Sequence, residues 1–163
     1  MTADPDRPEG FRRVAQALGA LGHAHAPLWL EVAARTSQEA ADALGVAVGQ
    51  IAKSVIFRRR SDDRAVLVIA SGDRRVDERK VGAVTGELGR ADAGFVKAST
   101  GFAIGGVAPL AHATAPVTLI DRDLFRFGEI WAAAGHPNGV FKLTPVELER
   151  YTGAPVADVV VSA

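Results

Sequence analysis

Two apolar runs rich in β-branched residues, Lys53-Ser-Val-Ile-Phe57 and Ala65–Ala70, stand on either side of the polar segment Arg58–Arg64. Runs of that length and composition, bounded by turn-forming residues, predict an antiparallel hairpin. Ser71-Gly72-Asp73 closes the second strand, and Gln50-Ile51 makes a short turn into the first. Everything else must be arranged around this pair. Further extended segments are predicted at Val117–Ile120, Glu129–Ala133, Val140–Leu143 and Val156–Val161, with Leu28–Ala33 as a strand or an extended arm. Phe95–Ala98 reads as a short strand or turn, and His136-Pro-Asn-Gly139 as a turn.

Helix signals lie between these runs. Phe11, Val14, Ala15, Leu18 and Leu21 recur at spacings of three and four, which makes Gly10–Leu21 an amphipathic helix ending at Gly22. Thr36 or Ser37 can cap a helix over Gln38–Leu44, with Glu39 placed for a capping box and Gly45 as the stop. Val76–Gly89 reads as helical, weakened by Gly82 and Gly86. Thr144-Pro145-Val146-Glu147 is a strong helix start. The expected fold is α/β of the α+β kind, with peripheral helices around one mostly antiparallel or mixed sheet. Residues 1–9 form a loose lead-in, and without a repeat or long linker the 163 residues make one domain.

Composition narrows the function. The 19 Lys+Arg residues balance 19 Asp+Glu, so bulk charge gives no affinity for nucleic acid and any RNA contact needs a local patch. Residues 53–80 hold nine basic and five acidic residues, either a solvated face or a surface that tracks phosphates. With no cysteine there is no disulfide, thiolate metal site or cysteine nucleophile, which fits a reducing cytoplasm. Apolar runs of about five residues, such as Val66–Ala70, fall far short of the ~18 residues that span a bilayer, and the N-terminus carries no secretory signal.

Two features can carry chemistry. Lys53 opens an apolar strand, where a lysine either snorkels to water or serves as a fixed cation for a phosphate or carbonyl oxygen. The segment Thr100-Gly-Phe-Ala-Ile-Gly-Gly-Val-Ala-Pro109 places Gly101, Gly105 and Gly106 where the backbone can turn sharply and approach a ligand. It is either a tight turn or an anion-binding loop, and it matches neither the P-loop nor the dinucleotide fingerprint. His23 and His25 lack a third ligand nearby in sequence, and a solvated loop pair is the reading they favour over a metal site.

Taken in order, Ala-Leu-Gly-Val46, Ile51-Ala-Lys-Ser-Val-Ile-Phe57, Val68-Ile-Ala-Ser-Gly-Asp73 and Thr100–Pro109 resemble the YbaK/EbsC, or prolyl-tRNA-synthetase-associated, family of free-standing aminoacyl-tRNA deacylases. The resemblance spans residues 23–161 and implies a compact domain with a barrel-like mixed sheet. It implies hydrolysis of the ester joining a wrong amino acid to tRNA, foremost tRNA-Pro carrying Ala, Cys or 2-aminobutyrate. The implied partners are the aminoacyl-tRNA 3′ end and a prolyl-tRNA synthetase, with no cofactor or metal.

By the same resemblance, Lys53 orients the terminal nucleotide or ester, and Gly105-Gly106-Val107-Ala108-Pro109 is the loop that binds the aminoacyl group through backbone amides. Thr36, Gly101, His136 and Asn138 are expected around the substrate; on the separate ground of the basic excess over residues 53–80, Arg58, Arg59, Arg60, Arg74 and Arg75 are expected on the RNA. Ala108 stands where many members carry Ser or Thr, which excludes a serine nucleophile there. The alternative is a non-catalytic module of the same fold that binds the tRNA end or the synthetase.

Overall fold

The chain folds into α1 (Glu9–Ala20), β1 (Leu28–Trp29), α2 (Ser37–Leu44), β2 (Ile51–Arg59), β3 (Ala65–Ser71), α3 (Glu78–Thr85), β4 (Leu88–Arg90), α4 (Ala93–Thr100), β5 (Val117–Asp121), β6 (Ile130–Ala133), β7 (Gly139–Leu143), α5 (Pro145–Thr152) and β8 (Val156–Ala157). The computed structural model describes residues 4–162. All eight strands join one sheet in the order β1-β7-β6-β2-β3-β5-β8, with β4 also beside β2. The β2–β3, β2–β4, β6–β7 and β1–β7 pairs are antiparallel. The β2–β6, β3–β5 and β5–β8 pairs are parallel, so the sheet is mixed.

The predicted hairpin is β2–β3, in register from Ala52↔Ser71 to Arg58↔Ala65. Every residue of β3 is buried, because side chains alternate between two covered faces. Leu67 and Ile69 join Phe11, Val14 and Leu18 of α1 in the main core with Phe102 and Phe141. Val66 and Val68 face the other way, against Val81 of α3, Leu119 and Val159. Each fully buried Val, Leu or Ile contributes about 1.5–3 kcal/mol, so β3 anchors both layers.

Helix caps follow local chemistry. Thr36 accepts a hydrogen bond from the Glu39 amide, and Gly45 ends α2 with φ 69°. At α5, Thr144 Oγ accepts from the Glu147 amide while the Glu147 carboxylate accepts from the Thr144 amide. Thr144→Ala is expected to cost about 1 kcal/mol. A urea titration checks this: the midpoint falls and the slope stays constant.

Three sequence expectations need correction. Phe95–Ala98 is not extended but lies inside α4, because Asp92 caps the Phe95 amide and Val96 and Thr100, four apart, are both buried. The helix expected over Val76–Gly89 is only Glu78–Thr85, started by the Asp77 carboxylate and ended at Gly86 with φ 102°; Leu88–Arg90 then pairs with the end of β2. The last strand stops at Ala157, because the buried Asp121 carboxylate takes the Val159 amide before Val160 bridges singly to Val76. Of the lead-in, Met1–Ala3 lie outside the described residues, whereas Asp4–Arg7 closes a turn and Arg7 stacks 4.6 Å over Trp29. Among the described residues no helix is long and apolar enough to cross a membrane.

Candidate active site

The site begins as a gap in the sheet. β3 covers one edge of β2 throughout, from Ala52 to Arg58. The opposite edge meets β6 only at Ile51 and Ala52, and β4 only from Phe57 to Arg59. Lys53–Ile56 therefore have no strand neighbour on that side. A cavity of about 140 Å³ opens there, roofed by the start of α2 and closed by Gly105, Val107 and the β6–β7 hairpin. Ala40, Ile51, Ala52 and Val140 supply the apolar part of its wall, Thr36, Ser37 and Ser54 are polar, and Lys53 and Arg35 are its charged residues. An apolar cavity of roughly 150 Å³ admits benzene, so a group of about six heavy atoms is of a size to fill this one.

Lys53 is half-buried, and its ammonium donates to the carbonyl oxygen of Arg74. Burial lowers its pKa below the ordinary lysine value, opposed by the negative charge of Asp73. Asp73 itself is held by Arg126 at 2.9 Å and Arg74 at 3.2 Å, so it orders this corner without neutralising Lys53 directly.

The glycine-rich segment is tied down at its base by α1. Arg13 Nε donates to Ala111 O at 2.9 Å and Nη2 to Thr100 O at 3.1 Å, with the guanidinium 4.3 Å over the Phe102 ring. His112 Nε2 hydrogen-bonds Ala108 O at 2.6 Å, a second tie. Within the loop, Gly105 adopts φ 92°, a region that disfavours side chains. The Gly106 amide donates to Ala103 O at 3.1 Å and so is spent on the turn. That removes Gly106 as an amide donor to a ligand, whereas the Gly105 and Val107 amides make no backbone hydrogen bond among the described residues.

Bonds to a charged donor are worth about 1.5–3 kcal/mol each, so Arg13→Ala is expected to speed amide exchange across residues 101–111 at least tenfold. Mass-spectrometric hydrogen exchange checks it.

Lys53, Thr36, Gly105 and Val107 thus line one cavity. The other expected residues lie elsewhere. Gly101 caps α4 against Arg13, and Ala108 and Pro109 are buried behind the loop, Ala108 wholly within the main core. A hydroxyl at 108 would therefore meet packed side chains. His136 stacks on Trp29 at 4.9 Å and accepts from the Asn138 amide, while the Asn138 side chain donates to Leu30 O at 2.7 Å. Both shape the turn behind the loop. Thr36 spends its hydroxyl on Glu39.

The arginines divide by partner. Arg58 pairs with Asp63 and Arg59 with Asp62, both at 2.7 Å, and Arg60 lies 3.5 Å from Glu87. Arg74 holds Asp73 and Asp123. Arg75 is exposed, has no ion pair among the described residues, and opens on a groove shared with Lys53. Buried His23 bonds Tyr151 and Lys142 O, and the described residues contain no cluster suited to a metal. Sequence reasoning missed Arg35 and Ser54. Arg35 sits in an irregular segment without periodicity; Ser54 lines the cavity with a buried hydroxyl that has no partner among the described residues.

In this mixed α/β domain one small cavity is therefore lined by Lys53 on one side and by Gly105 and Val107 of the glycine-rich loop on another, which makes it the candidate ligand site. The chain belongs to the aminoacyl-tRNA editing domain family, whose model matches residues 31–151. It is 35% identical to the uncharacterized protein YwhH of Bacillus subtilis (strain 168), over 77% of this chain and 80% of that one. Among solved structures it is similar to a protein provisionally assigned as a trans-editing enzyme for prolyl-tRNA synthetase. That match has 40% identity and a TM-score of 0.89, over 96% of this chain and all of the other. It is also similar to hypothetical protein APE2540, with 31% identity and a TM-score of 0.85 over 91% of this chain and 99% of that one.

Proposed function

We propose that the protein is a free-standing trans-editing hydrolase that deacylates mischarged aminoacyl-tRNA, foremost tRNA-Pro carrying Ala, Cys or 2-aminobutyrate. The supporting observation is that Lys53 and Gly105 border one cavity of about 140 Å³ in a chain of the editing family. An alanyl ester brings roughly six heavy atoms, within the range of a cavity this size, and the nucleoside then lies at the mouth. A synthetase separates amino acids differing by one methylene by only about 1–3 kcal/mol, so a second, smaller pocket is needed to remove small intruders made by a prolyl-tRNA synthetase.

In the reaction, water attacks the ester carbonyl and the ribose hydroxyl leaves. Developing negative charge on the carbonyl oxygen is met by the Gly105 and Val107 amides, since Gly106 is engaged in the turn. Oxyanion donors of this kind are worth about 2.7–4 kcal/mol each, sufficient for a substrate that is already an activated ester. Lys53 holds the nucleotide end or the ester in place. A panel of mischarged tRNAs tests the proposal: release of Ala, Cys or 2-aminobutyrate with prolyl-tRNA-Pro left intact is expected, and binding without cleavage of any ester overturns it.

RNA contact is proposed at Arg75, beside the groove that adjoins Lys53, ahead of the carboxylate-paired Arg58, Arg59, Arg60 and Arg74. Arg75→Glu is expected to reduce the slope of log Kd against log salt by about one. A matching reduction from charge reversal at Arg58–Arg60 would move the contact to the hairpin.

A further inference from the structure

The cavity accounts for the acyl group, and the phosphate nearest the ester needs a cation at the cavity mouth. Arg35 lines the mouth, and its Nη1 lies 4.0 Å from the position a Cβ on Gly105 would occupy. The guanidinium therefore overhangs the loop that is proposed to hold the ester. Its side chain is exposed and makes no ion pair or hydrogen bond among the described residues. The other charged residue of the cavity, Lys53, already donates to a backbone carbonyl, and Arg58, Arg59, Arg74 and Arg126 each hold a carboxylate. No acidic side chain lines the cavity. Its mouth thus presents an uncompensated planar fork, the geometry that binds phosphate through two parallel hydrogen bonds.

We propose that Arg35 anchors the phosphodiester joining the terminal adenosine to the preceding nucleotide, and so sets how deeply the aminoacyl ester enters the cavity. This rests on the deacylase reading for its substrate, but the anchoring can be measured without any ester. The position agrees with the chemistry. A small acyl group fills the cavity, which leaves the ribose and its phosphate at the rim, beside the loop that Arg35 overhangs. Arg35 acts on the RNA end, and the attack on the carbonyl remains with the loop amides.

The probes are the trinucleotide CCA and the same trinucleotide with an uncharged methylphosphonate at its last linkage, titrated into the full-length protein by NMR. The native protein is expected to bind the charged linkage about tenfold more tightly, and Arg35→Gln to erase that preference. Arg35→Lys, which keeps the charge but loses the fork, is expected to retain part of it and to show that the fold is intact. A preference that survives in Arg35→Gln overturns the proposal. So does a native protein that binds neither trinucleotide or both alike, or an equal loss on both probes, which would mean that Arg35 stacks on a base. Absence of ester cleavage by the native protein would sink the deacylase reading alone, since the trinucleotides carry no ester.

Discussion

Lys53→Ala is expected to lower kcat/KM on mischarged tRNA about a hundredfold while the melting temperature stays near that of the native protein. The size follows from the loss of a charge-assisted contact worth about 1.5–3 kcal/mol, whose upper end corresponds to about a hundredfold. Stability should barely change, because the alanine variant loses one hydrogen bond to Arg74 O and also the cost of burying an ammonium. The pH dependence has a definite sign. Burial holds the folded-state pKa of Lys53 below the 10.5 of a free lysine, so the folded protein gives up this proton first. Between those two values the unfolded chain binds more protons, and this group's contribution to stability rises with pH. Activity that depends on the ammonium falls over the same window. Lys53→Met, which cannot titrate, should flatten the alkaline limb of the stability curve; a native-like limb in that variant would assign the titration elsewhere.

The second large effect is expected at Gly106. A Cβ there would lie 2.7–2.8 Å from the N, Cα and C atoms of His136, all of them backbone. No rotamer change relieves such a clash, so Gly106→Ala must push the loop away from the His136 turn. Overpacking of this kind costs about 1–3 kcal/mol. The Gly105 and Val107 amides move with the loop, and deacylation is expected to fall at least a hundredfold, out of proportion to the stability lost. The control is Gly82→Ala. Gly82 lies inside α3 with nothing within 4 Å of the added carbon and no left-handed backbone, so alanine should stabilise by about 0.5–1 kcal/mol. Thermal melts and a single-turnover assay on the two variants separate loop geometry from global stability.

These expectations draw on parts of the protein that were unequally legible in the sequence. The β2–β3 hairpin, α1 and the capped starts of α2 and α5 rest on local signals, namely periodicity, β-branched runs and Thr-x-x-Glu caps, and the structure reproduces them. The helix α4 was missed although Asp92 was in place to cap it, because Phe-Val in a short window favours strand and burial of Val96 and Thr100 comes from packing. The break between α3 and β4 was likewise hidden, since β4 exists only by pairing with the end of β2.

The site divides the same way. Lys53 and the glycine loop stand out as residue types in unusual settings, but their meeting at one cavity depends on β6 lying parallel to β2 for just Ile51 and Ala52. That pairing joins distant parts of the chain and leaves no local mark. Arg35 and Ser54 matter only because of where it puts them, and no periodicity identifies either.

The interrupted edge of β2 has one more consequence, for solubility. Unsatisfied strand edges invite other chains to add on, and proteins usually blunt them with charge, proline or a covering segment. Here the open stretch is confined to Lys53–Ile56, with β6 beyond one end and β4 beyond the other. An intruding strand of ordinary length, about five or six residues, would collide with its neighbours before completing a ladder. The protein can therefore leave main-chain groups bare for a small guest without templating its own aggregation.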